Sequence, residues 1–132
     1  MAVTKDDLRN YRNMFKALDA LDLEIEAAYN TYKSPQFSND GGHSDDPGDP
    51  VVRALQKIES LKKERQDLLK QIRDIEDFVS SIEDWYERAI CKDHYITGLT
   101  WESTCQHLCK HNSTSVVKNY DRKWWEKQCA GS

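Results

Sequence analysis

The sequence predicts an all-α chain: a long antiparallel helical hairpin, coiled-coil-like, followed by a C-terminal three-helix module of helix-turn-helix type. Three observations predict it. Apolar residues recur every seven positions through two long segments, and all three prolines sit together between those segments with three of the five glycines. After residue 81 the rhythm changes to short apolar clusters separated by turn residues.

The first segment opens on Thr4 with Asp7, the pattern of a capping box. Tyr11, Leu18, Ile25 and Tyr32 then follow at heptad spacing, with Met14, Leu21 and Ala28 on the adjoining row, which predicts a helix from Lys5 to Lys33. Residues 34–50, SPQFSNDGGHSDDPGDP, combine proline, which lacks a donor, with glycine, which is costly to order, and read as a flexible acidic connection. His43, Asp45, Asp46 and Asp49 within it lack the spacing of a calcium loop. Pro50 suits a first helical turn, and Val51, Ile58, Ile72 and Val79, with Ala54, Leu61, Leu68, Ile75 and Ile82 three places on, predict a second helix from 51 to 80. Neither stripe can be left in water, so they bury against each other, against a partner chain, or both. Arg65 alone interrupts the second stripe; it is either a register device or a cation reaching past the seam to solvent, and it is a candidate protein-binding residue.

Residues 81–132 read as the fourth part of the chain, after 1–33, the loop 34–50 and 51–80. Ser80 or Ser81 is expected to cap or kink a helix whose inner face is Trp85, Tyr86, Ala89, Ile90 and Tyr95. Thr97-Gly98-Leu99 ends it. Thr100 caps a helix of about two turns from Trp101 to Cys109 with Trp101, Cys105 and Leu108 inward. His111-Asn112 reads as a turn, and Ser113 caps a last helix on which Val117, Tyr120 and Trp124 recur at spacings of three and four. Two short helices joined by a tight turn and braced by a preceding one make a helix-turn-helix pattern.

Arg88-Ala89-Ile90, then His94-Tyr95-Ile96-Thr97-Gly98-Leu99-Thr100-Trp101-Glu102, then Leu108, Ser113, Val117 and Tyr120, resemble phage-encoded transcriptional activators of the ArpU and RinA kind. The resemblance covers about forty residues and implies a helix-turn-helix like region four of sigma factors behind a long helical N-terminal part. It departs from the family at Thr104 and Cys105, where an aliphatic residue and alanine are usual, at His94 in place of arginine, and at Trp124-Trp125 in place of alanine-leucine. The function implied is a phage-type transcriptional regulator that touches DNA through the C-terminal module. Through the hairpin it would bind itself, as a homodimer, or a partner such as RNA polymerase, in the cytoplasm of a bacterial host. The competing expectation is a protein-binding inhibitor or adaptor that keeps the scaffold and acts on a host or defence protein without reading DNA.

Composition narrows the classes. A chain that is 32% charged and 38% hydrophobic spends its apolar residues on stripes rather than on a thick interior, and no stretch has the length of a bilayer span. The formal charge of -4 is uneven: residues 1–50 hold ten acidic and five basic residues, whereas residues 110–127 hold Lys110, Lys118, Arg122, Lys123 and Lys127 against Asp121 and Glu126, concentrating positive charge on the last helix.

The last helix therefore supplies the candidate DNA-reading residues. In a major groove its first turns would present Thr114, Ser115, Lys118 and Asn119 to base edges, while Arg122 and Lys123 would reach phosphates. The plainer reading makes them the solvated face of an amphipathic helix. Trp124 and Trp125 are adjacent and cannot both face inward, so one is expected as an exposed anchor; both join Arg65 as candidate protein-binding residues. Cys91-x-x-His94 and Cys105-x-His107-x-Cys109-x-His111 invite a zinc reading, but Cys105 and Cys109 share a helix face that His107 does not, and no C-x-x-C knuckle occurs. Small buried thiols are expected, with no metal and no cofactor. No nucleophile elbow or phosphate loop is present, so the chain is expected to bind rather than catalyse.

Overall fold

The structure is a computed structural model that describes residues 3–33, 49–108 and 113–130. These residues form helices α1 (Lys5–Lys33), α2 (Pro50–Ser80), α3 (Trp85–Ile90), which runs on as a π-helical stretch (Cys91–Thr97), α4 (Trp101–Leu108) and α5 (Thr114–Ala130). No strand occurs among the described residues, so the chain is all-α as the heptad pattern predicts. None of these helices is long and apolar enough to cross a membrane. The acidic segment, apart from Asp49 and Pro50, lies outside the described residues, as do Cys109, His111 and Asn112.

The helix ends have local causes. Thr4 and Asp7 close the capping box reciprocally, Thr4 N–H donating to Asp7 Oδ2 (2.9 Å) and Asp7 N–H to Thr4 Oγ1 (3.2 Å). At α2, Asp49 Oδ1 accepts from Val51 N–H (2.8 Å), with Pro50 in the first turn where its missing donor is harmless. The cap of α3 is Asp84, which accepts from the N–H groups of Tyr86 and Glu87, rather than Ser80 or Ser81. Thr100 Oγ1 accepts from Ser103 N–H (3.1 Å) at the start of α4.

The chain divides into two compact units. In the unit Met14–Gln71, the later part of α1 and the earlier part of α2 run antiparallel, with Arg65 paired to Asp22 (2.6 Å) and Lys62 donating to the Tyr29 hydroxyl (2.7 Å). Ala28, Ala54, Ile58 and Leu61 are buried there, so these segments cover one another's stripes within one chain. Arg65 thus stands in the seam as an ion-paired cation, half exposed, where pairs contribute about 0–1 kcal/mol.

The other unit joins the first thirteen residues to everything from Ile72 onward. Leu8 and Tyr11 from α1, Ile72, Ile75 and Val79 from α2, and Ile90, Cys91, Tyr95, Cys105, Val117 and Trp125 are buried in it. Its centre is Ile90, Cys105 and Val117, with Tyr86, Trp101 and Leu108 packed around them, which joins α3, α4 and α5 in the three-helix arrangement the sequence predicts. Two faces differ from expectation. Trp85, expected inward, is 70% exposed, because Glu87, Ile90 and Cys91 set the inner face of this helix and Trp85 falls on the opposite side. On α5 the buried positions are Val117, Asp121 and Trp125, four apart, while Tyr120 is partly exposed and Trp124 half-buried.

Gly98 ends the π-helical stretch at φ +88°, the left-handed region that side chains resist. A Cβ there would also crowd the Arg12 guanidinium, whose Nη1 donates to the Thr97 carbonyl. Gly98→Ala is therefore expected to cost about 1–2 kcal/mol in urea unfolding followed by circular dichroism; an unchanged midpoint would contradict the strained turn.

Candidate functional site

Ser113 starts α5, its Oγ accepting from Val116 N–H (3.4 Å). With Val117, Asp121 and Trp125 turned inward, helical periodicity leaves Ser115, Lys118, Asn119, Arg122 and Lys123 exposed together. Thr114 is half-buried beside the cap. Lys118, Asn119 and Arg122 form one wall of a cavity of about 410 Å³. Lys5 and Arg9, one turn apart on α1, form another, and His94, Tyr95 and Trp101 complete it.

Four cations from two distant segments thus surround one hollow. Lys5 lies 3.4 Å from buried Asp121, whereas Arg9 pairs with Asp6 and Arg122 with Glu126, each at 3.2 Å and in water, where such pairs are weak and readily exchanged. Lys118 has no carboxylate partner among the described residues. His94 stacks on Trp101 with ring centroids 3.7 Å apart, and its Nδ1–H donates to the Leu99 carbonyl (2.8 Å). Burial lowers the His94 pKa from its ordinary value, so at neutral pH it is an uncharged ring with Nε2 left as an acceptor. The arrangement suits an anion that carries a planar group.

Behind the cavity lies a buried polar cluster. Asp121, fully buried, accepts from the Tyr95 hydroxyl (2.7 Å) as well as facing Lys5. Glu87, also fully buried, accepts from the Cys91 thiol (3.1 Å). Burial, followed by the neighbouring Asp121, pushes the Glu87 pKa up to about 9, so it is a neutral acid at pH 7. Glu87 Oε1 and Asp121 Oδ1 otherwise have no hydrogen-bond partner, and the proton held by Glu87 serves both. Among the described residues, Glu87, Cys91 and Asp121 are the group whose donor atoms, within 4.8 Å of one another, could hold a metal. Burial pushes the Cys91 thiol far up and keeps it protonated, and Lys5 already supplies a positive charge beside Asp121; both oppose a cation there.

The other candidate residues fall elsewhere. Lys123 is exposed on α5 but does not line the cavity. Arg65 is in the other unit, paired with Asp22. Trp125 is corrected from a candidate anchor to a core residue: it is 5% exposed and stacks on Phe78 (5.7 Å, 27°). Trp124 meets Phe78 edge-on at 6.4 Å and stays half-buried. The exposed tryptophan is Trp85, edge-on to Tyr86, which in turn meets Tyr120 at 4.7 Å. Of the thiols, Cys91 and Cys105 are buried and Cys129 is exposed. His107, one residue of the suspected zinc pattern, instead hydrogen-bonds Asp93.

Sequence reasoning missed Lys5, Arg9, Trp101 and His94 as parts of this site. The first two are more than a hundred residues from α5, and only their spacing of four, which puts two cations on one face of α1, hinted at a basic patch. Comparison with protein-family models, with curated proteins and with solved structures finds no match for this chain.

Proposed function

We propose that the chain is a DNA-binding transcriptional regulator of the phage-encoded kind that its C-terminal residues resemble, acting in a bacterial cytoplasm. The exposed face of α5 is the reading surface, with Thr114, Ser115, Lys118 and Asn119 toward bases and Arg122 and Lys123 toward phosphates. The observation that carries this reading is the meeting of Lys5 and Arg9 with Lys118 and Arg122 around one hollow, in a chain that is acidic overall. The unit Met14–Gln71 is then the part that engages a second copy or a partner such as RNA polymerase, and exposed Leu23 and Leu55 are its available apolar contacts.

In a fluorescence anisotropy titration with duplex DNA, affinity is expected to fall steeply with salt. Lys118→Ala and Arg122→Ala should each weaken binding several-fold and reduce the salt slope by about one. Absence of salt-sensitive binding up to tens of micromolar protein would defeat the proposal.

A second reading is favoured by one observation. Trp85, 70% exposed, is followed through Tyr86 by the partly exposed Tyr120, a run of aromatic surface of the kind that anchors protein partners. On that reading the chain is an inhibitor or adaptor of a host protein. Trp85→Ala would then abolish capture from host lysate while Lys118→Ala would not.

A further inference from the structure

We propose that the cavity between α1 and α5 receives a single unpaired nucleotide, its phosphate among the cations and its base beside Asn119 and Trp101. The proposal rests on the nucleic-acid reading above and deepens it, because Lys118, Asn119 and Arg122, given there to a duplex, also line a hollow that a paired base does not enter. At about 410 Å³ the cavity is within the ordinary range for small-ligand sites, and it is too confined for a stacked base pair with its two backbones. A duplex can therefore offer it only a nucleotide that has left the stack, or one at an unpaired end.

The lining matches such a unit in both halves. Arg9 on one wall and Lys118 and Arg122 on the other offer three cations to a phosphate, while Lys5 stays paired with the buried Asp121. The carboxylates that occupy Arg9 and Arg122 are Asp6 and Glu126, whose side chains are 82% and 62% exposed, and a phosphate displaces them at little cost. For the base, Trp101 is held in place by its stack on His94, and the His94 ring is itself tied down through Leu99. An aromatic fixed in this way is a cavity wall that loses no freedom when a base packs against it. Asn119 carries the paired donor and acceptor that fit the edge of adenine. Uncharged His94 adds an acceptor rather than a fifth cation.

A free nucleotide and a nucleotide within a strand share this chemistry, and the experiment separates them. The full chain would be titrated at low salt with adenosine monophosphate, inorganic phosphate, a 5′-phosphorylated single-stranded oligonucleotide and its blunt duplex, reading tryptophan fluorescence and anisotropy. Saturable binding of adenosine monophosphate, weakened about tenfold by Asn119→Ala and by Lys118→Ala and unaffected by Lys123→Ala, would support the inference with a free nucleotide as ligand. Binding of the single strand alone, with the same response to the variants, would support it with a strand as the source. Equal binding of inorganic phosphate and adenosine monophosphate would overturn it, leaving only an anion site. Duplex binding with no response to single strand or mononucleotide would also overturn it, yet leave the regulator reading standing. Mononucleotide binding without duplex binding would support the pocket and defeat the regulator. Asn119 and Lys118 are exposed, so circular dichroism melts of both variants should match the parent and exclude unfolding as the cause.

Discussion

Asp121→Ala is expected to lower the stability of the chain by about 3–5 kcal/mol, the cost of removing one member of a buried charged network. Asp121 has no exposed surface and accepts from the Tyr95 hydroxyl while facing Lys5 and the Glu87 acid. Without it, Tyr95 keeps a buried hydroxyl with no acceptor and Glu87 a buried proton with nowhere to point. Lys5 suffers least, since its side chain is 25% exposed and can turn to water. Urea unfolding would measure the loss, and a change under about 1 kcal/mol would show that the cluster is not the anchor it looks to be. Glu87→Gln, by contrast, replaces the acid proton with an amide donor toward Asp121 and should be nearly neutral at pH 7.

Glu87→Gln also carries a pH prediction when set beside the parent. Glu87 is held up at about 9 in the folded chain and returns to about 4.5 on unfolding, so between those values only the folded chain binds the proton. Its contribution is complete below 4.5 and is lost as pH rises through the folded value, by about 1.4 kcal/mol for each pH unit. From pH 7 to pH 9 the parent should therefore lose about 2 kcal/mol that Glu87→Gln keeps. His94 acts on the other side, its lowered pKa costing stability as pH falls below 6.5, so the alkaline window isolates Glu87. Parallel pH profiles for parent and variant would place the proton elsewhere.

Trp125→Ala should be as damaging, at about 3–5 kcal/mol, because the ring is 5% exposed and fills the space against Phe78. Trp125→Phe should cost markedly less: it keeps a ring on Phe78 and removes an indole N–H that has no acceptor among the described residues. Trp85→Ala, at an exposed ring, should stay within about 0.5 kcal/mol. Thermal melts of the three variants in this order test the assignment of core and surface, and a Trp85 variant less stable than the Trp125 variant would reverse it.

The contrast between those tryptophans shows what was legible beforehand. Heptad rows and caps placed the first long helix at Lys5–Lys33 and the second within one residue of Pro50–Ser80, because apolar spacing and a reciprocal Thr4–Asp7 cap are local signals. Arg65 was visible as a break in the stripe, but its answer, Asp22, lies on another helix and has no mark of its own. The inner face of α5 was misjudged by one position. A charged residue such as Asp121 is normally solvated, so the pattern Val117, Tyr120, Trp124 looked more apolar than Val117, Asp121, Trp125. Only the buried Tyr95 hydroxyl, Lys5 and the Glu87 acid together make the second pattern possible, and they come from α1, α3 and the π-helical stretch that follows it. For the site, the α5 half was readable as a cationic helix face. The α1 half was not, since proximity across so many residues is a property of the tertiary fold.

That one unit combines the opening turns of α1 with everything beyond Ile72 has a kinetic meaning. Lys5 and Asp121, which face each other at 3.4 Å, stand more than a hundred residues apart in the sequence, and closing so wide a gap costs about 4 kcal/mol of chain entropy before any contact repays it. The cationic hollow therefore exists only where both segments have been brought together, because each alone carries only one of its walls.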